Sequence, residues 1–220
     1  MVRGAKTTGV QLDNVSGETG EPITFDRLRV VQLPNTDGVV VAATGKLESK
    51  RVAIRNSRFE GTPTRGKAGI RLEGATAEVE VSGNRLFRLD NGITFNRVTP
   101  AAITTRPQIT GNTFYDVGAG LQFDMTAGAD GKYAVGVSRN YFAKTTALAQ
   151  RTDTGGAVAG VTFTDNAHDK DSRGGNVPFE AAKIDAPELA APNPDDNATF
   201  LRFPGGGPEV GANKVRVGAN

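Results

Sequence analysis

Val79-Glu80-Val81-Ser82-Gly83-Asn84-Arg85-Leu86-Phe87 is an apolar-polar-apolar strand, a turn carrying asparagine, and then an aromatic. The unit returns along the chain. It stands as Val52-Ala53-Ile54 with Ser57 and Phe59, as Ile109 with Asn112 and Phe114, as Val135-Gly136-Val137 with Asn140 and Phe142, and as Val161-Thr162-Phe163 with Asn166. The last apolar residues of these strands are Ile54, Val81, Ile109, Val137 and Phe163, so the steps are 27, 28, 28 and 26 residues. A period this regular marks a solenoid, in which each repeat buries its apolar face only against its neighbours.

A second alternating pattern follows later in each period, introduced by a small residue: Gly69-Ile70-Arg71-Leu72, Gly92-Ile93-Thr94-Phe95, Gly120-Leu121-Gln122-Phe123 and Ala147-Leu148-Ala149-Gln150. Two strands of period two per repeat exclude helical repeats, whose apolar residues would recur every three to four positions. The predicted fold is all-β: a single-stranded right-handed parallel β-helix of about six coils of roughly 28 residues, closed by a C-terminal capping tail. Stacked coils lie about 4.8 Å apart, so equivalent residues stand over one another. Ser57, Asn84, Asn112, Asn140 and Asn166 then form an inward structural ladder in which each amide bonds its neighbours above and below.

The chain resembles the pectate-lyase-like family of parallel β-helix repeats, as found in large bacterial surface proteins. The likeness spans about residues 9–166 and rests on VSGNRLF…NGITF, ITGNTF…AGLQF and VSRNYF. It implies the β-helix fold and a secreted or cell-surface location. That family holds lyases, hydrolases, epimerases, adhesins and non-enzymes, so the likeness does not choose an activity.

Composition agrees with a solenoid, because 37% hydrophobic residues is low for a compact globule of 220 residues, whereas 28 glycines suit a thin core with many bends. The 26 basic and 24 acidic residues are interspersed, which argues against a nucleic-acid footprint. Cysteine is absent, which excludes disulfides and thiolate metal sites. No run of 18 apolar residues occurs, so no membrane insertion by a helix is expected.

Gly9-Val10-Gln11-Leu12-Asp13 matches Gly120-Leu121-Gln122-Phe123-Asp124, a second strand without its first. This suggests that residues 1–166 are the C-terminal portion of a longer solenoid whose upstream coils, or a partner chain, cap the N-terminal end. Residues 167–220 read as a loop and a tail that packs on the last coil through Leu201, Phe203, Val210, Val215 and Val217.

The outward residues of the second strand stack into polar columns: Arg71, Thr94, Gln122 and Ala149 in one, and Glu73, Asn96, Asp124 and Arg151 beside it. Planar amide, carboxylate and guanidinium groups form paired hydrogen bonds with sugar hydroxyls, so Arg71, Glu73, Thr94, Asn96, Gln122, Asp124 and Arg151 are the candidate carbohydrate-binding residues, with polysaccharide as the expected ligand. The expected function is a non-catalytic domain that binds carbohydrate or serves as a structural scaffold, and the competing expectation is a polysaccharide lyase or glycosidase. It would use Glu73 and Asp124, two coils and roughly 9–10 Å apart, with Arg71 as electrophile or base.

No cofactor or metal site is expected. His168 is the only histidine and reads as a solvated loop residue. Asp169-Lys170-Asp171-Ser172-Arg173-Gly174 with Glu180 imitates a calcium loop but places Arg173 where an oxygen ligand belongs. Gly205-Gly206-Gly207-Pro208 has neither lysine nor a following helix, so no phosphate loop is expected.

Overall fold

The computed structural model describes residues 2–3, 8–44, 47–96, 106–124, 132–153, 158–179 and 181–183, and among these it contains strands and no helix. The chain winds into a right-handed parallel β-solenoid of about five turns, and every strand pair is parallel. A full coil has three faces rather than the two strands expected. The middle strand is short, as in Arg58–Gly61 and Tyr141–Ala143, or runs straight into the next one, as in Arg85–Asn96 and Thr113–Asp124. Its few residues were therefore legible only as the end of the first pattern. We refer to the first, middle and last faces of the coil, in chain order.

The first face is a six-stranded sheet whose inward column runs Phe25, Ile54, Val81, Ile109, Val137 and Phe163. Six strands make five intervals. Phe25 adds a coil before the first one read from the repeat, hidden because Leu28 stands in the ladder slot, where later coils carry serine or asparagine.

On the middle face the inward column is Val30, Phe59, Leu86, Phe114, Phe142 and His168. Leu86 therefore fills the aromatic slot, and Phe87 lies one place on, against Tyr115 with ring centroids 5.6 Å apart. His168 is a half-buried strand residue in register with Phe142, which corrects the loop reading. Its Nδ1 lies 2.7 Å from the carbonyl oxygen of Asp169.

The last face has two inward columns: Val39, Ile70, Ile93, Leu121 and Ala149, then Val41, Leu72, Phe95, Phe123 and Arg151. Aromatic side chains stack between coils, Phe95 on Phe123 at 4.9 Å and Phe114 on Phe142 at 4.6 Å. Each fully buried side chain of this kind contributes about 1.5–3 kcal/mol. The glycine that opens the last-face alternation in the central coils is a packing requirement: a Cβ on Gly92 would lie 2.4 Å from Phe114 Cδ1, and one on Gly120 2.5 Å from Phe142 Cε1.

The expected alignment of the final coil is one residue out. Ala149 lies beside Leu121, Gln150 beside Gln122, and Arg151 beside Phe123. Leu148 takes the place that glycine holds earlier, and an apolar residue there imitates the start of the alternation.

Residues 169–179 close the last coil. Leu148 and Ala149 donate backbone hydrogen bonds to the carbonyls of Arg173 and Gly174, and Phe179 meets Phe142 edge-on at 5.2 Å and Phe163 at 4.5 Å. The middle face continues past residue 166 through Asn166–His168 to Ala181–Lys183. Leu201, Phe203, Val210, Val215 and Val217 lie outside the described residues. At the other end Thr8–Asp13 pairs with Asp37–Ala42, and Val2–Arg3 with Val30 and Val31.

Candidate functional site

The asparagines sit at the bend between the first and middle faces, and four of them are buried: Asn84, Asn112, Asn140 and Asn166. Each Oδ1 accepts the backbone N–H of the ladder residue before it: Ser57 N to Asn84 at 2.9 Å, Asn84 N to Asn112 at 2.9 Å, Asn112 N to Asn140 at 2.9 Å and Asn140 N to Asn166 at 3.1 Å. Each Nδ2 returns a bond to a first-face carbonyl, of Ile54, Val81, Ile109 and Val137 in turn. Ser57 is the shorter version, its Oγ accepting from Leu28 N at 3.0 Å. The ladder consumes its own polar atoms and is architecture.

The outward surface of the last face is different. Alternation puts two columns there: Gln11, Val40, Arg71, Thr94, Gln122 and Gln150, and then Asp13, Ala42, Glu73, Asn96, Asp124 and Thr152; Thr8, Asp37, Ala68, Asn91, Ala119 and Ala147 form the register column three residues ahead of the first. Arg71, Thr94 and Gln122 are thus brought together in one column, and Glu73, Asn96 and Asp124 in the next. Arg151 is not among them, because its place is the inward one beside Phe123. The residues that continue the columns are Gln150, whose Nε2 donates to Gln122 Oε1 at 3.2 Å, and Thr152, whose Oγ1 donates to Asp124 Oδ1 at 3.2 Å.

The polar strip is interrupted at the strand Asp37–Ala42, where Val40 and Ala42 are buried. Sequence reading missed this coil because Val39-Val40-Val41 is continuously apolar and hides the alternation. Its start was legible, since Asp37-Gly38 repeats the small residue that opens the other last-face strands.

Asp37 is the residue the sequence reading overlooked. Its side chain is 5% exposed, and its Oδ2 lies 3.3 Å from Arg71 Nη2. Burial pushes the Asp37 carboxyl above the usual carboxylate range, against the pull of Arg71, Lys67 and a hydrogen bond from the Ala68 backbone. Arg71 Nε also lies 3.7 Å from Glu73 Oε2, and Asn96 Nδ2 donates to Glu73 Oε1 at 3.1 Å. Among the described residues, Asp37 Oδ1, Arg71 Nε and Thr94 Oγ1 are buried and have no hydrogen-bond partner. These three atoms belong to successive coils of one face. Buried polar atoms left open in this way cost stability, and a bound polar group or water restores their bonds.

The calcium-like stretch is already satisfied by the chain. Asp169 Oδ1 accepts from Ser172 N and Oγ, and Asp169 Oδ2 from Lys144 N. Among the described residues no group of three or more histidine or acidic side chains is gathered as for a metal ion. Nor do they include a helix long and apolar enough to cross a membrane. No family model matches the chain, and neither a curated protein nor a solved structure is similar to it above the level of chance.

Proposed function

We propose that this chain is a non-catalytic carbohydrate-binding domain of a secreted or cell-surface bacterial protein, built on pectate-lyase-like repeats and presenting its last face to a glycan. The observation that carries the reading is the open hydrogen-bonding capacity of Asp37 Oδ1, Arg71 Nε and Thr94 Oγ1 beside a strip of polar columns. Sugar hydroxyls both donate and accept, so neighbouring units of a glycan match a carboxylate oxygen, a guanidinium N–H and a hydroxyl set on successive coils. A glycosidase is less well supported. Glu73 and Asp124 are two coils apart, roughly 9–10 Å, at or just past the separation of about 6.5–9.5 Å that an inverting pair uses. Asn96, bonded to Glu73, stands between them.

A glycan array followed by titration tests the reading. Affinity should be modest, with a dissociation constant of about 0.1–1 mM, because solvated polar contacts leave little net free energy after ordering costs. The double variant Arg71→Ala, Gln122→Ala should lose binding. No hit at millimolar glycan, or a hit that the double variant binds equally well, removes this face as a binding surface.

A further inference from the structure

A second cleft lies at the ladder bend and shares no residue with the last face. Its volume is about 420 Å³, and it is lined by Arg27, Arg29, Arg58 and Arg85, with Asn56 and Gly83 between them. Arg29, Arg58 and Arg85 stand in register on three successive coils, so their guanidinium stems leave the sheet about 4.8 Å apart. Arg27, Asn56 and Gly83 are the left-handed residues of the bend in the same coils, with φ of 55°, 50° and 64°. At Gly83 a side chain would crowd the neighbouring coil, since a Cβ there would lie 2.8 Å from Asn56 Oδ1.

Glu60 orders part of this array. Its Oε1 takes Arg29 Nη2 at 2.8 Å and its Oε2 takes Arg58 Nη2 at 2.6 Å, with both Glu60 and Arg58 side chains under 10% exposed. Asp26 takes Arg27 Nε at 3.3 Å and Asn56 Nδ2 at 2.8 Å. In the coil of Arg85, the register position of Glu60 is held by Phe87.

We propose that this cleft is a binding site for a tetrahedral oxyanion, phosphate or sulfate, free or as an ester. The anion sits over Gly83, between the guanidiniums of Arg58 and Arg85, with Arg27 reaching it from the rim. Glu60 holds Arg29 and Arg58 in place, so two of the donors are ordered before the anion arrives. A tetrahedral group offers oxygens in more than one plane and so meets forks on successive coils. A carboxylate offers two oxygens in one plane, a place that Glu60 already fills.

The test is calorimetric titration of the full chain with inorganic phosphate, inorganic sulfate and acetate, and then with glucose 6-phosphate and glucose 6-sulfate. Phosphate and sulfate are expected to bind in the millimolar range, and the Arg27→Gln, Arg85→Gln double variant to bind about tenfold more weakly. Arg139→Gln, an exposed arginine at the same left-handed position two coils further on, should bind as the wild type does. Tighter binding of the sugar esters would assign the site to an esterified ligand, and equal binding to the free anion. Absence of phosphate and sulfate binding at about 20 mM overturns the proposal. So does acetate binding as tightly as phosphate, or an Arg139→Gln loss as large as that of the double variant. Because Arg27 is exposed and Arg85 half-buried, an unchanged melting temperature of the double variant separates lost binding from lost folding.

Discussion

The side-chain amide of Asn112 donates to Oδ1 of Asn140, one coil on, at 3.0 Å, and the same nitrogen donates to the carbonyl of Val81 at 2.9 Å. Asn112 Oδ1 meanwhile accepts both the backbone N–H and the side-chain amide of Asn84. Replacing it takes the partner from the buried backbone N–H of Asn84 and from the carbonyl of Val81, and one of two bonds from Asn140 Oδ1. Asn112→Ala is expected to lower stability by about 1–3 kcal/mol, read as a shift of the urea midpoint. Gln122→Ala, on the half-buried outer face, should change it by less than about 0.5 kcal/mol. Equal effects would place residue 112 outside the ladder.

Gly92 faces Phe114 so closely that a methyl group would overlap the ring. Gly92→Ala should therefore destabilise the chain by about 1–3 kcal/mol through overpacking. Gly174→Ala is the matched control, since nothing lies within 4 Å of a Cβ built there, and its midpoint should stay within about 0.5 kcal/mol of wild type. A neutral Gly92→Ala would mean that the Phe114 column moves aside, and the glycine would then need another explanation.

The repeat was legible because stacking makes one residue type recur at one place, and the first-face column from Ile54 to Phe163 follows the steps counted in the sequence. What was not legible lies where a coil departs from its neighbours. Leu28 hid the first coil, Leu148 displaced the last one by a residue, and Val40 broke the polar strip without breaking the strand. The middle face was invisible for another reason: three or four residues are too few to show a period of two. Asp37 went unnoticed because its chemistry comes from Arg71, 34 positions away in sequence and one coil away in space.

Phe179 closes the solenoid by covering Phe142 and Phe163. It is half-buried, so Phe179→Ala should cost about 1–2 kcal/mol, somewhat less than full burial of an aromatic ring provides. The variant should also expose the last coil, raising dye binding and self-association at high concentration. A variant with the wild-type midpoint and no added association would show that residues 169–179 lie on the coil without sealing it.

Asp37 gives the chain a pH dependence whose sign is fixed by burial. Its carboxyl titrates above its unfolded value, so the folded state holds the proton more tightly than the unfolded chain does. The stability tied to that proton is fully present below the unfolded carboxylate range. It is lost as pH rises through the higher folded value, where the unfolded chain has already ionised. The Asp37→Asn variant carries a neutral amide at this position at every pH and keeps an oxygen for the Ala68 N–H. Wild type and variant should thus have similar midpoints at the acid end, and the wild type should fall behind the variant as pH rises through the carboxylate range. The measurement is the difference between their urea midpoints across that range. If the variant falls behind instead, the attraction of Arg71 and Lys67 outweighs the cost of burial, and Asp37 is held as half of an ion pair rather than as a carboxyl kept ready for a polar ligand.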